Sequence, residues 1–175
     1  HNGALDPRFH PNARGFDEFA GFRGGWADYY RWNLDRNGTL EKSDGRYLTD
    51  VLADKSADFI RRHQDEPFFL YLPFTIPHVA LQVPDSSLVE YEGVFEEEPY
   101  LGDPSYLPHY RPFSAYAGMI TRMDAQIGRV LAHLEELGLT ENTIVVFTSD
   151  NGATYTGGVD AEFFDSSAGL RGLKG

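Results

Sequence analysis

The sequence predicts an α/β domain in which a central, mostly parallel sheet is sandwiched by helices, and three observations carry that expectation. Phe68-Phe69-Leu70-Tyr71-Leu72 and Thr143-Ile144-Val145-Val146-Phe147-Thr148 are near-continuous apolar runs, the pattern of buried parallel strands covered on both faces. Between them, from about Ser114 to Leu137, apolar residues recur at intervals of three and four, as on one face of a long helix. Each run leads into a loop with polar residues, Pro77-His78 after the first and Ser149-Asp150-Asn151-Gly152 after the second. Open α/β sheets collect their binding sites at strand ends of this kind.

Taken in chain order, the stretch from His1 to about Trp32 is rich in glycine and aromatics around Arg14-Gly15-Phe16-Asp17-Glu18-Phe19. It reads as an ordered loop entering a short strand. Asn37-Gly38 predicts a tight hairpin turn, and Asn37-Gly38-Thr39 is also a glycosylation sequon. Leu48, Val51, Leu52, Phe59 and Ile60 fit one helical face between Tyr47 and His63, with Ser43 or Thr49 as expected caps and Pro67 as the stop. From Val83 to Pro112, prolines and acids predict a long surface excursion in which Glu96-Glu97-Glu98 forms a solvated face. In the long helix the expected core face is Tyr116, Ile120, Met123, Ile127, Val130, Leu131, Leu134 and Leu137, and Gly138 is placed to end it in a left-handed cap. His63, His109 and His133 read as surface groups.

Composition narrows the function. The 175 residues are 41% hydrophobic, enough for a substantial core, and no apolar run reaches bilayer-spanning length. A net charge of −12 argues against nucleic acid and anionic membranes as partners, since both need a basic face. With no cysteine, this segment has no disulfide, thiolate metal site or cysteine nucleophile. The chain begins with His1, not Met, and ends in a glycine-rich turn at Gly175, so it is expected to be a segment of a longer protein.

The chemistry-bearing residues are few. Asp150 and Asn151 offer a carboxylate and an amide oxygen, ligand types that Ca²⁺ and Mg²⁺ prefer; Asp-Asn-Gly is equally good turn chemistry. His78, and Lys174 within Arg171-Gly172-Leu173-Lys174-Gly175, could place positive charge on an anionic substrate. Each has a plainer reading, the histidine capping a carbonyl and the lysine standing in solvent.

Together these residues resemble the sulfatases, formylglycine-dependent hydrolases of the alkaline phosphatase superfamily. Four stretches carry the likeness, and they cover nearly the whole chain. Gly15-Phe16-Asp17-Glu18-Phe19 with Gly21 is similar to the family's GFDxFxG loop. Pro67 to Leu72 with Pro77-His78 and Pro84 resembles its central strand and substrate histidine. Tyr116 to Gly152 looks like its long helix and metal-bearing strand, and Leu170 to Gly175 like the start of the stretch with the substrate lysine. His1-Asn2-Gly3 is similar to the end of a Gly-Lys-Trp-His-x-Gly motif.

The resemblance implies an alkaline-phosphatase-like fold of which residues 1–175 form a central part, and hydrolysis of a small-molecule or glycan sulfate ester. Asp150 and Asn151 would ligate Ca²⁺ (or Mg²⁺), His78 and Lys174 would contact the sulfate, and His1 would lie beside the nucleophile. The nucleophile would be a formylglycine made from Cys or Ser in a Cys/Ser-x-Pro-x-Arg motif, which this chain lacks. The family's two N-terminal metal-binding aspartates, and the lysine two residues before His1, are likewise outside the chain, and Ala80 stands where the family often has Pro. The resemblance also implies an extracytoplasmic location, periplasmic, secreted or lysosomal. The rival functions are a phosphodiesterase or phosphonate hydrolase of the same superfamily, and a non-catalytic binding homologue.

Overall fold

A computed structural model describes residues 5–174, and the chain divides into two compact units at Thr75/Ile76. In the first unit, β1 (Ala20–Gly21), β2 (Asn33–Arg36) and β3 (Thr39–Lys42) form an antiparallel sheet in the order β1-β2-β3. The turn between β2 and β3 is Asn37-Gly38, as predicted, with φ of 51° and 89° at its two residues. Both lie in the left-handed region that a tight hairpin requires. Asn37 is held there, because its Oδ1 accepts from the Phe19 amide at 2.7 Å.

Helix α1 (Leu48–Arg62) follows, and the Leu48 amide donates to the Tyr29 carbonyl at 2.8 Å, which fixes where the helix begins. Neither expected cap operates. The Ser43 hydroxyl donates to the Tyr30 carbonyl, and the Thr49 hydroxyl is buried with no hydrogen-bond partner among the described residues. Trp32, Leu34, Leu48, Val51 and Ile60 form the core of this unit, each at most 2% exposed. Full burial of such side chains stabilises by about 1.5–3 kcal/mol apiece, and the Trp32 indole nitrogen keeps a partner by donating to the Arg46 carbonyl at 2.9 Å.

The second unit is built on α3 (Pro112–Glu136), with the single-turn α2 (Asp85–Leu88) packed across it. Contact is close because Gly118 has no side chain: a Cβ there would lie 2.6 Å from the Ser87 carbonyl oxygen. Gly138, at φ 70°, ends α3 as expected; its amide donates to the Glu135 carbonyl and that of Leu139 to Leu134, each at 2.9 Å. This is the Schellman arrangement, which satisfies carbonyls the helix end would otherwise leave open.

The other end of α3 corrects the reading of the triple glutamate. Glu97 is a cap and not part of a solvated face: its Oε2 accepts from the amides of Phe113 at 2.6 Å and Ser114 at 3.2 Å. A carboxylate there also complements the helix dipole. Nor is the excursion from Val83 to Pro112 wholly a surface feature, since Val83 and Leu88 are buried. Of the expected core face of α3, Tyr116 and Leu134 are buried, while Ile120 and Leu131 are exposed. Met119 is fully buried, and Met123, expected in the core, is only half-buried.

The two apolar runs are the main correction. Neither is helical and neither belongs to a ladder among the described residues, where the sheet is the antiparallel one above. Phe68, Leu70 and Leu72 are half-buried while Phe69 and Tyr71 face outward; Ile144, Val145, Val146 and Phe147 are all exposed. An apolar run shows that a segment needs cover, and it does not say which neighbour supplies the ladder. The histidines also differ from expectation: His63, His109 and His133 are half-buried and not free on the surface.

Candidate active site

His78, Asp150, Asn151 and Lys174 all belong to the second unit; His1 lies outside the described residues. His78 sits between two cis peptide bonds, Ile76-Pro77 and Val79-Ala80. Its ring is exposed, and its Nδ1–H donates to the Val79 carbonyl. That bond keeps the neutral ring in the Nδ1–H tautomer and directs lone-pair chemistry to Nε2. Val79 is the anchor of this loop, at 8% exposure. It packs against Gly157, where a Cβ would lie 2.8 Å from the Val79 side chain. Gly157 and Gly158, at φ 68° and 89°, make a turn that few other residues adopt. The histidine loop is thereby fitted to the segment that continues from Asp150.

The Asp150 loop meets the Lys174 stretch directly. The Lys174 amide donates to the Ala153 carbonyl at 2.8 Å. Gly152 lies so close to Gly172 that a Cβ would come within 2.4 Å of its carbonyl oxygen. Gly172 before the lysine and Gly152 after the aspartate are therefore contact surfaces, which accounts for glycine at these two positions. Within the loop, the Ser149 hydroxyl donates to the Asn151 carbonyl and the Asn151 Nδ2 donates to the Gly152 carbonyl, both at 2.8 Å. The second bond engages the amide nitrogen and leaves Oδ1 as the group available to a ligand.

Asp150 is exposed, and among the described residues its carboxylate has no hydrogen-bond or ion-pair partner. Asx-turn geometry, the plainer reading of this tetrapeptide, would have engaged it. A free carboxylate beside a free amide oxygen fits a hard divalent cation, for which they supply two of some six to eight oxygen ligands. Among the described residues no group of three or more acidic, histidine or cysteine side chains completes such a site. Backbone contacts thus join the Asp150 loop to the Lys174 stretch, and the His78 loop packs at Gly157 farther along the same segment; the side chains these stretches carry are two oxygen donors, an imidazole and an ammonium group. That set suits a tetrahedral oxyanion with a cation beside it.

Other titratable residues act structurally. In the first unit Glu18 accepts from Arg62 at 2.7 Å and pairs with His63 at 2.8 Å, and these cations hold its carboxyl down at about 2. Glu18 and Glu66 in turn push the His63 imidazole up. Burial pushes His109 down. A cluster of half-buried His10 and Arg23 around buried Asp35 escaped the sequence reading, because three residues so far apart have no spacing signal.

The sulfatase family profile matches residues 2–172. The uncharacterized sulfatase YdeN of Escherichia coli is 32% identical over 150 residues, which are 84% of this chain and 24% of that protein. An arylsulfatase of Klebsiella aerogenes is 28% identical over 191 residues, covering 82% of this chain and 41% of its own length. The chain thus spans about a quarter to two fifths of these relatives. Among solved structures, Ps i-CgsB in complex with k-i-k-neocarrahexaose superposes with a TM-score of 0.74 at 28% identity, over 88% of this chain and 36% of the other. Neighbours of this kind carry the alkaline-phosphatase-like α/β fold, so the predicted class holds, with residues 5–174 making up a partial domain. Among those residues no helix is long and apolar enough to cross a membrane. By its profile and its relatives, the chain belongs to the sulfatase family.

Proposed function

We propose that this chain is the central part of a catalytic domain that hydrolyses sulfate esters. The observation that carries the reading is the backbone pairing of Lys174 with Ala153, reinforced by the packing of Gly152 on Gly172. That contact supports a reading in which Lys174 acts on the same ligand as Asp150 and Asn151.

In this reading Asp150 and Asn151 hold Ca²⁺ (Mg²⁺ is the alternative), which when bound acts as a Lewis acid on a sulfate oxygen. Lys174 and His78 place positive charge and hydrogen-bond donors on the sulfate, where charge builds as the ester bond breaks. With its Nδ1–H given to the Val79 carbonyl, protonated His78 serves the substrate through Nε2–H as a donor to the ester or sulfate oxygen. His1 takes a supporting place beside the nucleophile. The nucleophile is a formylglycine from outside these residues, as the chain has neither Cys nor a Ser-x-Pro-x-Arg motif. The substrate is a small-molecule or glycan sulfate ester, consistent with the k-i-k-neocarrahexaose bound by Ps i-CgsB, and the protein works outside the cytoplasm.

The test is sulfate release from an aryl sulfate and from a sulfated oligosaccharide by the full-length protein, with a phosphate diester as comparison. The reading expects sulfate release to dominate, and expects the isolated 175-residue chain to release none. Faster cleavage of the phosphate diester would contradict it, as would turnover by the isolated chain.

A further inference from the structure

In the second unit the stretch from Ala153 to Lys174 leaves the Asp150 loop and returns beside it, closed at its base by the Lys174 amide on the Ala153 carbonyl. Its middle is a run of tight turns. The amide of Phe164 donates to the Asp160 carbonyl, that of Ser166 to Ala161 and that of Leu170 to Ser167. The Asp160 carboxylate accepts from the amides of Glu162 at 3.0 Å and Phe163 at 2.9 Å. Among the described residues, every backbone-to-backbone hydrogen bond of the stretch stays within it. The turns therefore set its own shape, while its seat on the unit has to come from side-chain packing. Connections longer than about 12–15 residues without helix or strand are uncommon in compact domains, and are either ordered for a function or loose.

The seat is aromatic. The Phe164 ring lies 5.1 Å from that of Tyr116, 5.4 Å from Phe113 and 5.6 Å from Phe95, with ring planes crossing at 61°, 74° and 71°. Tyr116 and Phe113 belong to the first turns of α3. Phe163 adds a further ring, 4.9 Å from Phe164 and 4.5 Å from Phe113. Edge-to-face contacts at such spacings are a favoured geometry for aromatic pairs. Three of them on one ring restrict both its position and its tilt. Val159 and Ala161, each 4% exposed, seat the outgoing limb of the same stretch. On the returning limb, no residue from Asp165 to Lys174 is buried. Phe164 is thus the last packed side chain before the bond that closes the base at Lys174.

We propose that Phe164 is a positioning residue for Lys174: its ring, clasped by Phe95, Phe113 and Tyr116, fixes the far end of the stretch and so aims the lysine at the ligand of Asp150 and Asn151. The inference rests on the reading of Lys174 as a sulfate contact, and the two can fail separately. In the full-length protein, Phe164→Ala should lower kcat/KM for an aryl sulfate about tenfold, as displacement of a charged group does. Phe164→Leu, which keeps apolar bulk, should recover most of that loss. In a Lys174→Ala background the Phe164→Ala change should cost less than about twofold, because the residue it positions is gone. A general loss of structure would slow both backgrounds equally. Phe163→Ala removes a ring that is 52% exposed, which spares the core if Phe164→Ala does not fold, and should repeat the pattern at about threefold. Limited trypsin digestion with mapping of the cut sites reads the clasp without catalysis. Arg171 and Lys174 follow Phe164 directly on the returning limb, and cleavage at them should quicken about tenfold in Phe164→Ala under conditions where the protein stays folded. Equal losses in the two backgrounds, or cleavage at Arg171 and Lys174 at the wild-type rate, overturns the proposal. A wild-type protein that releases no sulfate, with the cleavage pattern as expected, overturns the sulfatase reading and leaves the clasp standing.

Discussion

Asp35 and Asp150 each stand within three residues of a glycine in a turn, one in each unit, and the protein treats them in opposite ways. Asp35 is 8% exposed, and His10, Arg23 and the Gly38 amide all donate to it. Asp150 is exposed and, among the described residues, has nothing to pair with. A carboxylate whose lone pairs are filled by its own chain holds local structure together. One left open on a loop that is itself firmly packed, by Gly152 on Gly172 and Lys174 on Ala153, contributes little to stability and awaits a ligand. The difference predicts that the two residues separate cleanly into a stability role and an activity role.

The largest effect tests the second role. In the full-length protein, Asp150→Ala should lower sulfate release by at least ~10²-fold, in line with removal of a charge-stabilising active-site group. Its unfolding free energy should move by no more than about 0.5 kcal/mol, as for a surface side chain with no partner. Asp35→Ala sharpens the contrast. It leaves an arginine, a histidine and an amide without their shared acceptor and should cost about 1–3 kcal/mol in urea unfolding. Comparable stability losses in the two variants would erase the distinction.

Gly157→Ala comes next, and it asks whether the backbone packing matters to the site. A Cβ at φ 68° and 2.8 Å from Val79 should cost about 1–3 kcal/mol and lower turnover by displacing the His78 loop. Unchanged turnover in that variant would show that the glycine turn does not position His78. A smaller loss, about 0.5–2 kcal/mol with turnover unaffected, is expected for Glu97→Ala, which removes the cap on α3.

The least effect is the pH dependence from Glu18. Its carboxyl is held at about 2 against an ordinary 4.5, so its pairing with Arg62 and His63 stabilises the fold fully above pH 4.5 and is lost as pH falls toward 2. With solvent screening the effect is on the order of 1 kcal/mol. The raised His63 acts in the other direction: its contribution is complete below its ordinary 6.5 and fades as pH climbs through the raised value. Glu18→Gln should flatten the acid limb of an unfolding profile measured from pH 2 to 5, and an acid limb identical to the wild type's would contradict the assignment.

Local signals were legible in the sequence. Asn37-Gly38 and Gly138 were readable because a turn and a helix end each make demands that a residue or two can answer, and positive φ at all three meets those demands. The pattern of Gly152, Gly172 and Lys174 was legible as a candidate, although only the structure reveals that the two glycine-bearing stretches touch. Glu97 was not readable as a cap, since it acts on amides 16 and 17 residues away. The cluster around Asp35 was invisible for the same reason. The apolar runs at 68–72 and 143–148 were read as buried strands, and among the described residues they pair with no ladder, because hydrophobicity alone does not say which neighbour covers a segment.

The most direct test of the account is a double-mutant cycle on sulfate release by the full-length protein, using Asp150→Ala, Lys174→Ala and the two together. Residues that act on one sulfate as a unit are non-additive, so the double variant should be no slower than the slower single one, within a few-fold. Losses that multiply in the double variant, or a wild-type protein that releases no sulfate, would contradict the claim that these loops form one sulfatase site.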